Sequence, residues 1–184
     1  RRTLMVDFNQ SLTVAEAIRR GHLIDAEGGV HWIEEPVRAD DFAGCAKVAR
    51  AIRTPIQIGE NFMGPEQMVT ALAAGACDYV MPDLERIGGV TGWMRAAALA
   101  QGAGIEMSSH LFAEASAQLL PVTPTGHWLE YVDWADAVLM EPLRIEKGFA
   151  MPSLRPVVTA AMAPSAPIPR TATRPPHAAE RACG

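Results

Sequence analysis

Six residues at near-regular spacing could share one chemical site: Asp7, Glu34, Glu60, Asp83, His110 and Glu130 are separated by 27, 26, 23, 27 and 20 positions. Each lies at the end of a short apolar run, in TLMVDFN, VHWIEEP, PIQIGEN, CDYVMPD, GIEMSSH and HWLEYV. Five carboxyl groups and an imidazole gathered in one place would repel one another unless a cation neutralised part of the charge. The first three offer only oxygen, the hard donor set that suits Mg2+ with water or substrate completing the octahedron. An imidazole titrates near neutral pH and can move a proton, and Asp83, one run before His110, can accept from the other ring nitrogen. Taken singly, each acid could equally be an N-cap for a following helix, and a lone buried histidine is more often structural than catalytic. Six such residues in matching register point instead to a common mouth.

The elements that must position these residues follow from the text between them. Ala-rich stretches of helical spacing separate the apolar runs, so six strands and five helices alternate between residues 3 and 150. Strict alternation means a parallel α/β architecture, and in a β/α barrel the C-terminal ends of the strands converge on one opening. Pro65 suits a first helical turn, and Gly75, Gly102 and Gly104 stand where helices should stop. Glu35 should point away from Glu34 while the strand persists, unless the turn at Pro36 swings it back, so it is assigned a supporting place behind the ligands. His22, His31 and His127 do not end an apolar run and are assigned structural roles.

With 184 residues, 49% hydrophobic and 20% charged, the chain has material for one globular core. A net charge of −5 argues against a nucleic-acid partner, which needs Lys and Arg clustered on one face, and no apolar run is long enough to suggest a membrane span. Cys45, Cys77 and Cys183 lie far apart with no CxxC pair, so neither a disulfide framework nor a zinc site is expected, and a cytoplasmic setting is. Residues 1–151 are read as the folded domain. From 152 to 184 Pro and Ala dominate, with four arginines against one glutamate and no periodicity, which predicts a disordered tail. The opening RRTLMVDFNQ has no initiator Met and no apolar leader, and is expected to belong to something longer.

In order along residues 4–150, VDFNQSL, WIEEP, IGENFMGPE, MPDLERIGGVTGW, MSSHLFAEASAQLL and TPTGHWLE resemble the barrel domain of the mandelate racemase/muconate lactonizing enzyme family, in the enolase superfamily. The resemblance implies an incomplete TIM-type barrel of about six parallel strands, without the family's N-terminal capping domain and first two barrel strands. It implies that Asp7, Glu34 and Glu60 bind Mg2+, that Asp83 and His110 form a dyad, and that Glu130 donates a hydrogen bond to a substrate carboxylate. Asn9 would lie beside the substrate hydroxyl, and Leu111 and Val132 would line the pocket for an aromatic ring.

Residue chemistry agrees with those roles. Removing the proton α to a carboxylate leaves a dianionic enediolate, so the site must present positive charge where that charge develops. His110 can take the proton, Asp83 can hold the ring, and a protonated Glu130, its pKa raised by neighbouring acids, can act as electrophile. The expected activity in the full-length protein is racemisation of a 2-hydroxy acid such as mandelate, since HLF and HWLEYV favour an aromatic substituent. The alternatives are an acid-sugar dehydratase and a catalytically inactive fragment with a structural role. The family's second base comes from a Lys-x-Lys strand that this sequence does not contain; its lysines are Lys47, in a helical stretch, and Lys147, in the IEKG loop. Six strands would leave two open edges, so this piece should be marginal unless it dimerises or is joined to the absent strands, and the full-length protein is expected to be a homo-oligomer.

Overall fold

The structure, a computed structural model, describes residues 3–152. The predicted tail therefore lies outside the described residues, apart from Pro152. Five parallel strands pair in chain order: β1 (Leu4–Asp7), β2 (Val30–Glu34), β3 (Ile56–Ile58), β4 (Tyr79–Val80) and β5 (Glu106–Met107). Between them run α1 (Val14–Glu27), α2 (Phe42–Ala51), α3 (Pro65–Ala74) and α4 (Gly89–Ala103), with α5 (Ala113–Leu119) after β5. Successive helices pack on one another, α1 on α2, α2 on α3 and α3 on α4, as sequential crossovers of one hand require.

Local chemistry sets the helix ends. Thr13 caps α1 by accepting from the Glu16 N–H, and Asp41 caps α2 by accepting from the Gly44 N–H at 2.8 Å. Pro65 opens α3, and left-handed Gly75 and Gly104 close α3 and α4, whereas Gly102 lies inside the last turn of α4 rather than ending it. Alternation along the strands sends Ile33, Ile56, Ile58, Val80 and Met107 into a core shared with Val48, Met68 and Trp93 of the helices. Cys45 and Cys77 are free, and burial pushes both thiols up to about 12.

The expected sixth strand is replaced by an irregular segment. Residues 125–130 still run alongside β5: Met107 N–H donates to the Thr125 carbonyl (2.8 Å), His127 N–H to Met107 (3.0 Å) and Ser109 N–H to Trp128 (2.9 Å). Two of its donors, however, bond hydroxyls and not main chain. Trp128 N–H donates to Ser108 Oγ and Glu130 N–H to Ser109 Oγ, at 3.3 and 3.1 Å. The serines before His110 thus take over ladder positions and interrupt the strand. Beyond this segment a hairpin that periodicity did not predict, β6 (Arg144–Glu146) with β7 (Phe149–Met151), turns through Lys147 and Gly148, both at positive φ. Leu143, just before the hairpin, and Ala150, within β7, pack against Ala113 and Ala117 of α5. Among the described residues no pairing joins β1 to the 125–130 segment, so the sheet is an open arc and not a closed barrel.

Candidate active site

Parallel register brings the acids to one end of the sheet. Asp7 and Glu34 end β1 and β2 and are direct partners in the ladder. Glu60 lies two residues past β3, reached through Gly59 at φ 140°, where an added Cβ would stand 2.8 Å from the Met81 nitrogen. Only glycine lets the chain leave β3 that close to the next strand. Asp83 and His110 form an isolated parallel bridge just beyond β4 and β5.

The core of the site is the Asp83–His110 pair. Both residues are buried, and His110 Nδ1 stands 2.9 Å from Asp83 Oδ2. The other Asp83 oxygen accepts the main-chain N–H groups of Glu85 and Arg86, at 2.9 and 3.0 Å, which fixes the carboxylate against rotation. The Nδ1 contact is the shorter of the ring's two carboxylate contacts, so Asp83 orients the ring through Nδ1 and leaves Nε2 as the nitrogen turned to the row of acids. That nitrogen faces Glu60, with Oε2 3.3 Å away.

Glu34 registers how closely the acids converge. Burial pushes its carboxyl up to about 8, with further upward pressure from the charges of Asp7, Glu60 and Glu130. An acid in that position is protonated at neutral pH unless a cation replaces the proton. Among the described residues no three His, Cys, Asp or Glu side chains stand close enough to enclose an ion as placed. One reason is visible at Asp7, whose Oδ1 and Oδ2 are taken up by the main-chain N–H and the side-chain amide of Asn9 at 2.6 and 3.0 Å. The donor chemistry nevertheless fits a hard dication: three oxygen ligands on adjacent strands, one of them held protonated for want of positive charge.

The remaining expected residues separate into two groups. Glu130 Oε2 accepts the Leu111 N–H at 2.7 Å, which ties the 125–130 segment to the turn after His110. Leu111 and Val132 line a mostly apolar hollow of about 200 Å3 with Phe112 and Trp134. Asn9 is exposed and turned into Asp7. Glu35 departs from the alternation expected of a strand. Its φ of 37° breaks the extended backbone, and the side chain is buried and bonded to Asn61 at 2.8 Å, next to Glu60. His31 and His127 sit in a ring cluster with Trp32, Tyr79 and Trp128, and His22 lies within α1. Ser108, Ser109, Asn61 and Arg86 were not singled out from the sequence. Each lies within three positions of an expected residue in a quoted motif, but nothing in their types or spacing distinguishes them from surface polar residues.

Residues 1–156 match the family model described as enolase C-terminal domain-like. The chain belongs to that family. Its curated relatives include L-talarate/galactarate dehydratase of Salmonella typhimurium, 33% identical over 79% of this chain and 36% of its own length. Another is 3,6-anhydro-alpha-L-galactonate cycloisomerase of Streptomyces coelicolor, 32% identical over 83% of this chain and 42% of its own. Among solved structures, an enolase from Bradyrhizobium complexed with magnesium and mandelic acid is 50% identical with a TM-score of 0.80, covering 82% of this chain and 42% of that one. The chain thus spans less than half the length of these relatives. The family's relatives are enzymes, and dehydratases, cycloisomerases and epimerases are all among them.

Proposed function

We propose that this chain carries the metal ligands and the base of a Mg2+-dependent enzyme that removes the proton α to a carboxylate, and that the outcome is elimination of water from an acid sugar. The observation that carries the reading is the buried Asp83–His110 pair, 2.9 Å apart, with the ring's Nε2 turned toward Glu60 and the row of acids. His110 Nε2 takes the α-proton, and the C–H electron pair moves into the carboxylate to give an enediolate. Asp83 keeps the ring oriented and favours the imidazolium that results. As the enediolate collapses, the β C–O bond breaks, and His110 returns its Nε2 proton to the leaving hydroxyl, which departs as water. The enol left behind becomes a 2-keto-3-deoxy acid, and His110 is neutral again.

Asp7, Glu34 and Glu60 would hold Mg2+, which supplies positive charge to the substrate carboxylate as negative charge develops there. Asp7 must release Asn9 and Glu34 must lose its proton for that. Glu130, with Oε2 held by the Leu111 N–H, keeps its second oxygen for a hydrogen bond with the substrate carboxylate. A syn dehydration, in which proton and hydroxyl leave from the same face of the substrate, needs one acid–base group, and His110 suffices for it. Relatives whose names describe acid-sugar dehydration support the elimination, and solved relatives with bound magnesium support the metal.

A second reading, racemisation of an aryl 2-hydroxy acid, is favoured by the apolar hollow at Leu111, Phe112, Val132 and Trp134. It requires a base on the opposite face. Of the lysines, Lys47 lies in α2 and Lys147 in the β6–β7 turn, neither at a strand end.

The test is proton exchange in D2O with Mg2+, offering galactarate and mandelate separately to the full chain and to His110→Asn. The dehydratase reading expects a 2-keto product from galactarate, and loss of exchange in His110→Asn with Mg2+ affinity unchanged. Racemised mandelate without a keto product would establish the second reading. Exchange at full rate in His110→Asn would overturn the base assignment. A chain that binds Mg2+ yet exchanges neither substrate would be the inactive segment with a structural role.

A further inference from the structure

Glu60 stands outside β3, so no ladder hydrogen bond restrains it, yet both of its carboxylate oxygens have assigned neighbours. Oε2 faces His110 Nε2 at 3.3 Å, while Oε1 accepts from Asn61 Nδ2 at 3.1 Å. The same amide nitrogen donates to Glu35 Oε1 at 2.8 Å, so its two hydrogens serve two different carboxylates. The amide is held in that sense because its oxygen accepts from Arg86 Nη1 at 3.0 Å. Arg86 Nη1 also donates to the Glu60 main-chain carbonyl at 3.1 Å and stands 3.6 Å from Glu60 Oε1.

The far end of this tether is buried and bonded on both sides. Glu35 is 1% exposed, and its main chain is pinned on both sides, its N–H donating to the Gln57 carbonyl at 3.1 Å and its carbonyl accepting from Gln10 N–H at 2.8 Å. A left-handed φ of 37° at a non-glycine residue persists only where surroundings over-determine it. Here that conformation lets consecutive glutamates, Glu34 and Glu35, both serve the site. Arg86 in turn leaves the turn whose N–H groups hold Asp83 Oδ1. One turn therefore fixes the partner of the base and sends a guanidinium to the neighbouring strand end.

We infer that Asn61, locked by Arg86, is a positioning residue that ties the Glu60 carboxylate to the buried Glu35, so that Glu60 is presented to the metal with one chosen oxygen toward His110. The inference rests on the metal reading above. Without the tether the Glu60 side chain rotates, and the site must order it again on binding. Neither Asn61 nor Arg86 touches the reacting atoms. Loss of such support behind a metal ligand typically costs about 10–100-fold in affinity.

The experiment is calorimetric titration of the full chain with Mg2+, needing no substrate, beside thermal melts in EDTA. Asn61→Leu keeps the branched side-chain shape and removes both donors; it should weaken Mg2+ binding about tenfold. Arg86→Met should do the same, and as Arg86 is partly exposed this variant folds even if Asn61→Leu does not. Arg86→Lys, which keeps the charge and a donor, should recover most of the affinity. Because Arg86 acts on Glu60 partly through Asn61 and partly by its own contacts, the double variant should lose less than the sum of the two single losses. Wild-type affinity in Asn61→Leu and Arg86→Met, or additive losses in the double variant, would overturn the tether while leaving the metal site standing. Absence of saturable Mg2+ binding by the unaltered chain would overturn both.

Discussion

Without metal, Glu34 should make the chain less stable as the pH rises, and Glu34→Gln should remove that dependence. The carboxyl moves from an ordinary 4.5 to about 8 in the folded chain, chiefly by burial and then by the charges of Asp7, Glu60 and Glu130. A raised pKa in the folded state means that the fold binds the proton more tightly than the unfolded chain does. The contribution is therefore fully present below pH 4.5, falls as the unfolded chain begins to ionise, and is lost once the pH passes about 8. At about 1.4 kcal/mol per pH unit, the loss is about 3 kcal/mol by pH 7 and about 5 kcal/mol by pH 9. Such a loss is a large share of a typical domain's stability. Urea unfolding of wild type and Glu34→Gln in EDTA at pH 5, 7 and 9 measures it, since the difference between the two proteins cancels the other titrating groups. The variant should gain on the wild type as pH rises, and saturating Mg2+ should restore the wild type above pH 7 because it binds only the folded site. Parallel stability curves for the two proteins would refute the reasoning, because Glu34 would then not be desolvated among like charges.

Two further substitutions probe the elements around it. Asp83→Asn should lower α-proton exchange by on the order of 10²–10⁴-fold without changing Mg2+ affinity, since an amide can stabilise the wrong ring tautomer and cannot balance the imidazolium; exchange kinetics in D2O would check this. Gly59→Ala should destabilise the chain by about 1–3 kcal/mol in a denaturant titration, because a Cβ there meets the Met81 nitrogen at 2.8 Å with φ at 140°.

Much of the scaffold is written locally. Thr13, Asp41, Pro65, Gly75 and Gly104 mark helix ends by capping and backbone preference alone, and the alternation of Ile33, Ile56, Ile58 and Val80 tells which strand face meets the helices. The hairpin at Arg144–Met151 escaped because its runs are three residues long and its turn uses Lys147 where Asn or Asp is usual. The 125–130 segment was misjudged as a full strand because nothing in HWLEYV reveals that Ser108 and Ser109 replace main-chain acceptors.

The candidate site divides in the same way. Residue type and the spacing of one β/α unit are properties of the chain read in one dimension, and they suffice to name Asp7, Glu34, Glu60, Asp83, His110 and Glu130 as neighbours. Orientation is not such a property. That Asp83 takes Nδ1 and leaves Nε2 toward Glu60, that Glu35 turns inward through a left-handed φ, and that Arg86 and Asn61 stand behind Glu60 all depend on groups about 25 residues apart meeting across strands. Sequence determined the ingredients and their order, because local backbone preferences and periodicity act within a few residues. Only the packed sheet decided which oxygen faces which nitrogen, because hydrogen-bond direction and desolvation are set by neighbours that the chain brings together from afar.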